Sequence, residues 1–92
     1  YEDGSFRPSN RLTRQETVVL VLRAFGIEEA QDKTLAFADS DKIPAWSRGY
    51  IKKAVELGII KGYSDNTFGP QREITRAEVV TIISKCIQLK GR

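Results

Sequence analysis

An internal repeat constrains this chain more than any other feature. Tyr1 to Phe25 (YEDGSFRPSNRLTRQETVVLVLRAF) aligns without a gap on Tyr63 to Ile87 (YSDNTFGPQREITRAEVVTIISKCI), at an offset of 62 residues and with eight of the 25 positions identical. The identities mix tyrosine, aspartate, phenylalanine, proline, threonine, arginine, glutamate and valine, which composition alone does not produce. A period of this length describes supersecondary units that bury their faces against one another. With 92 residues the chain holds fewer than two full periods, so its own core is marginal and a neighbouring unit matters.

Each copy reads as a loop followed by a helix. Asp3-Gly4 and Asp65-Asn66 stand at matching positions, where Gly and Asn tolerate the positive φ of a tight turn. Pro8 and Pro70 keep the following residues out of helix. Phe6 and Phe68 are expected to pin the loops to the core. Thr13-Arg14-Gln15-Glu16 and Thr75-Arg76-Ala77-Glu78 both fit the capping box, with Thr13 and Thr75 as caps and Glu16 and Glu78 reaching back. Val18 to Leu22 alone could be a strand, but a cap precedes it and Gly26 follows it, so helix is the reading. Such an apolar run suggests a helix buried on several sides, and self-association of the chain is one expected way to cover it.

Between the copies, Pro44 suits a helix start and Gly58 a helix stop. Trp46, Tyr50, Ala54 and Leu57 form one stripe, with Ile51 and Val55 beside it; Val79, Ile82, Ile83, Cys86 and Ile87 share a face of the last helix. The fold class is therefore all-α: three helices near 13–25, 44–57 and 75–89, joined by long ordered loops. The domain reading is 1–26 as the second half of one repeat, 27–34 as a polar linker and 35–90 as a complete repeat.

Several functions are excluded or disfavoured. The chain has no histidine, no nucleophile elbow and no phosphate-binding loop, so no enzyme and no cofactor are expected. Asp39 and Asp41 lack the other ligands of a calcium loop, so no metal is expected. Formal net charge is +3, a mild preference for anionic partners, but no helix carries a row of base-reading side chains and nucleic acid is not a partner. No apolar run is long enough to insert in a membrane. Cys86 has no second cysteine to pair with and reads as a small buried hydrophobe.

The order Phe37-x-Asp39, Trp46, Ile51, Ala54, Gly58-Ile59, Gly62-Tyr63, Asp65, Thr67-Phe68, Pro70, Ile74-Thr75-Arg76-Ala77-Glu78 closely resembles the S-layer homology repeat. Asn66 replaces that family's usual glycine, and the first copy reads LTRQE rather than ITRAE. The resemblance implies a pseudo-threefold bundle of repeats with ligand grooves between neighbours, an extracellular location in the cell wall or S-layer, and a non-catalytic anchoring role. It implies as ligand an anionic secondary cell-wall polysaccharide, often carrying ketal-linked pyruvate. The alternative is a protein–protein assembly module that binds no sugar.

On this reading four residues are expected to bind ligand. Arg14 and Arg76 follow the helix caps, beside free backbone N–H groups and the positive end of the helix dipole, where an arginine fork suits a carboxylate. Trp46 would stack on a sugar face and Asp39 would accept from hydroxyls or position the arginine. The groove in this chain would set Arg14 opposite Asp39 and Trp46, with Arg76 waiting for a following repeat. Since the capping residues are separate, replacing Arg14 is expected to weaken binding while leaving the helix stable.

Overall fold

The structure, a computed structural model, describes residues 12–90. The first-loop expectations at Asp3-Gly4, Phe6 and Pro8 lie outside them. Three α-helices carry the fold: α1 (Arg14–Ala24), α2 (Ala45–Glu56) and α3 (Arg76–Lys90), with a short 3₁₀ turn at Ser40–Lys42. Among the described residues there is no strand, and Thr13 and Glu73 form one isolated antiparallel bridge. The chain is all-α, as its periodicity indicates.

Local chemistry fixes the helix ends. Glu16 and Glu78 each donate a backbone N–H to the hydroxyl of Thr13 or Thr75, at 3.2 and 3.1 Å, and each Oε1 accepts the threonine N–H at 2.9 Å. Both are complete capping boxes. At the other end α1 and α2 stop alike. The N–H of Ile27 reaches Leu22 O at 2.9 Å and that of Ile59 reaches Ala54 O at 2.8 Å, across Gly26 (φ +73°) and Gly58 (φ +74°). These are Schellman turns, which need a left-handed residue at the glycine position.

The core comprises Val18, Leu22, Ile43, Ile51, Ala54, Ile59, Phe68, Ile82 and Cys86. Helix α1 packs against both α2 and α3. The linker docks too, since Ala30 is buried and its N–H donates to Gly49 O at 3.0 Å. The loop after α2 returns through Phe68, which is fully buried with its ring 5.6 Å from Phe37. Asn66 holds φ at +65°, where a side chain is tolerated best when it is Asn.

Three expectations about faces are corrected. The buried stripe of α2 runs through Ser47, Ile51 and Ala54, while Trp46 and Leu57 are 53% and 40% exposed. The reason is Ser47: its hydroxyl donates to Gln15 Oε1 at 3.1 Å, so a small polar residue forms the seat for α1. On α3 only Ile82 and Cys86 are fully covered, and Ile83 and Ile87 are exposed. Helix α1 does bury most of its apolar run inside the chain, with only Leu20 exposed. Among the described residues, the helix left short of partners is α3.

Candidate functional site

The unusual group in this fold is Arg14. A first-turn arginine is ordinarily solvated, yet its side chain is 2% exposed and ranks among the largest fully buried side chains. Its guanidinium spends its fork on the second repeat. Nε donates to Phe68 O at 2.8 Å, Nη2 donates to Lys61 O at 2.8 Å, and Nη1 forms an ion pair with Glu78 Oε2. Its Cζ lies 4.4 Å from the centre of the Tyr63 ring and 4.7 Å from that of Phe68. Arg72 sits over the same Tyr63 ring at 4.6 Å. A buried arginine is tolerated when its donors are paired and its plane is stacked, and both hold here.

Glu78 therefore has two tasks. One carboxylate oxygen caps α3 and the other neutralises Arg14. The helix N-terminus beside Arg14 is also occupied. The N–H groups of Arg14 and Gln15 donate to Arg72 O at 2.9 Å and Pro70 O at 3.3 Å, so the amides expected to be free for an anion are closed by the loop of the second repeat.

Asp39 does not pair with Arg14 directly. Its Oδ1 accepts the Phe68 N–H and its Oδ2 the Gly69 N–H, both at 2.9 Å. Arg14 and Asp39 thus grip the Phe68 residue from its carbonyl and its amide. Trp46 stands on the first turn of α2, half exposed, and Arg76 on the first turn of α3, exposed. The structure brings Arg14 and Asp39 to one loop. The side chains of Arg76 and Trp46 have no hydrogen bond or ion pair among the described residues.

Beside the Arg14 corner, a cleft of about 610 Å³ opens between the turn that leaves α2 and the first half of α3. Val55, Ile59 and Ile82 give it an apolar floor, Tyr63 forms a wall, and Lys61 and Lys85 stand at its rim. Lys61 and Lys85 are exposed and make no ion pair among the described residues. Arg14 and Glu78 cancel, so the cleft carries two uncompensated positive charges. Sequence reasoning passed over Lys61, Lys85 and Arg72. The available signal was the placing of Lys61 and Arg72 on either side of the Gly62-Tyr63 turn.

A helical repeat module with a clamped inter-repeat corner is the class this fold defines. The S-layer homology domain family matches residues 1–18 and 36–80. The chain is 40% identical over 84 residues, 90% of its length, to Cell surface glycoprotein 1 of Acetivibrio thermocellus, of which it covers 4%. It is 34% identical over 95 residues, all of its length, to the Cellulosome-anchoring protein of the same organism, covering 21% of it. It is 34% identical over 91 residues, 95% of its length, to the Surface layer protein of Brevibacillus choshinensis, covering 8% of it. The chain belongs to the S-layer homology domain family, and the relatives named here are bacterial cell-surface proteins. It spans a small part of the length of these relatives. No helix among the described residues is long and apolar enough to cross a membrane.

Proposed function

We propose that this module tethers its parent protein to the bacterial envelope by holding an anionic secondary cell-wall polysaccharide, with the pyruvyl carboxylate as the charged group. The cleft beside Arg14 carries the reading. Two unpaired ammonium groups, Lys61 and Lys85, stand over an apolar floor, a combination that suits a ketal group presenting a carboxylate on one side and a methyl on the other. Arg14 acts here as a positioning residue, since its donors hold Lys61 O and Phe68 O and so set the cleft wall. Asp39 acts likewise through the Phe68 and Gly69 amides. Trp46, exposed on α2, offers a separate face for stacking on a sugar ring.

The test is a calorimetric titration of the chain with pyruvylated and depyruvylated wall polysaccharide. Binding should require the pyruvyl group, and Lys61→Ala combined with Lys85→Ala should weaken it by roughly tenfold or more, each contact being charge-assisted. Trp46→Ala should weaken both ligands alike. Equal affinity for the two polysaccharides refutes the carboxylate reading. No binding to either favours an assembly module.

A further inference from the structure

Arg48 stands near the start of α2 and outside the lining of the cleft. Its guanidinium has no carboxylate partner among the described residues. It bonds backbone carbonyls instead. Nε donates to Lys33 O at 3.3 Å, and Nη1 donates to Ser40 O at 2.6 Å and to Ile43 O at 3.1 Å. A charged donor holds a carbonyl more firmly than a neutral one. These carbonyls lie at the two ends of one segment, residues 33–43, so a single side chain draws the ends of that segment together.

The Lys33 end is seated from the other side as well. The stretch before it lies on α2, where Ala30 is buried and donates its N–H to Gly49 O at 3.0 Å. Gly49 leaves no room for a side chain, since a Cβ there would lie 2.9 Å from the Cβ of Glu29. The residues read from the sequence as a polar linker are therefore a packed strap, and it leads into the segment that Arg48 closes.

The middle of the segment grips the loop that walls the cleft. Ala38 donates its N–H to Asn66 O at 2.8 Å, and Asn66 Nδ2 donates to Ala36 O at 3.2 Å. The Asp39 carboxylate accepts the Phe68 and Gly69 N–H groups, both at 2.9 Å. Phe37 lies against Phe68, and so near Gly62 that a Cβ there would be 2.5 Å from its ring. Gly62 and Tyr63 line the cleft, and Phe68 O accepts from Arg14. The side-chain bonds span 29 or 30 residues. A segment that must meet a distant loop at several points at once does so at least cost when its own shape is already set.

We propose that Arg48 is a positioning residue for the cleft: by closing the ends of residues 33–43 it sets the shape in which residues 36–39 hold the loop 62–69. The guanidinium fork is what the role requires, because one face of it reaches Lys33 O while another reaches Ser40 O and Ile43 O. The strap is coupled to the cleft wall through the same side chain. The bearing of this on a ligand rests on the cleft reading above. The coupling itself belongs to the chain and is measured with no polysaccharide present, so the two readings fail separately.

The experiment is hydrogen exchange of the 92-residue chain, resolved by NMR at the amides of Ala38, Phe68 and Gly69. Each rate is taken as a ratio to that of the slowest amides of α3, which report global opening. A loss of overall stability moves all of these amides alike and leaves the ratios where they were. In Arg48→Ala the three ratios should rise by about tenfold or more. Arg48→Lys keeps the charge but reaches only one end of the segment, so its ratios should fall between those of the parent and of Arg48→Ala. Asp39→Ala cuts the grip directly. It should speed Phe68 and Gly69 in the parent background and add less than about threefold in the Arg48→Ala background. Parent ratios in both Arg48 variants overturn the proposal, and so do equal Asp39→Ala effects in the two backgrounds. If Arg48→Ala does not fold, Arg48→Lys decides alone, and a parent ratio there overturns it.

Discussion

Arg14→Ala is the most informative single change, because the sequence alone suggests a loss of binding and the structure requires a loss of stability. The substitution removes two charged donors from Phe68 O and Lys61 O and the ion pair with Glu78. Hydrogen bonds from a charged group contribute about 1.5–3 kcal/mol each, but contacts made by one side chain are not additive. Glu78 keeps 26% of its side-chain exposure, so its carboxylate recovers some hydration once Arg14 is gone. Removing one partner of a buried pair costs about 3–5 kcal/mol, and the lower half of that range applies here. For a domain of this size, each kcal/mol moves the melting temperature by about 4–8 °C. Thermal and urea unfolding followed by circular dichroism should therefore show a fall of about 12–30 °C. Arg14→Lys should recover less than half, since an ammonium lacks the planar fork and stacks poorly between rings. Glu78→Gln keeps the capping box and, combined with Arg14→Ala, should show coupling of about 1–2 kcal/mol. An Arg14→Ala protein that stays helical and loses under about 1 kcal/mol would refute the buried anchor and return Arg14 to the ligand.

Three further predictions concern the loop that Arg14 holds. A Cβ at Gly62 would lie 2.7 Å from Thr67 O, a backbone atom that cannot swing away, so Gly62→Ala should cost about 2 kcal/mol in urea unfolding. Asn66 sits at φ +65°, so Asn66→Gly should be within about 0.5 kcal/mol of the parent while Asn66→Val loses about 1–2 kcal/mol. The Asp65 carboxyl is held below its ordinary range by the Thr67 hydroxyl and then by the Thr67 N–H. Its contribution is present above the unfolded value of about 3.9 and is lost as pH falls through the lower folded value. The stability difference between Thr67→Val and the parent, read from melting temperatures, should accordingly shrink as pH falls below about 4.

What the sequence made legible was local. The capping boxes at Thr13 and Thr75 and the glycine stops at Gly26 and Gly58 depend on residues within five positions of one another, and all four occur in the structure. The burial of Arg14 depends on carbonyls at 61 and 68 and a carboxylate at 78. No periodicity reports where a first-turn arginine points when its partners lie some fifty residues away. The stripe on α2 shifted for a related reason. Ser47 reads as a surface residue until Gln15 is seen to meet its hydroxyl, and Trp46 is then turned outward. The α3 face was misread because hydrophobic spacing identifies which residues can be buried, not which neighbour does the burying. Ile83 and Ile87 are apolar at the right spacing and still exposed. Here the repeat supplies what spacing lacks. Thr-Arg-x-Glu occurs twice among the described residues, and the first occurrence is packed by a later loop and helix of the same chain. The difference between the two copies isolates the contribution of the neighbour: an arginine drawn out of water, two helix amides given acceptors, and one helical face covered. The division of labour on this surface follows from that difference. Arg14 is spent on the corner between the two repeats, and Lys61 and Lys85 stand beside it with no ion pair among the described residues.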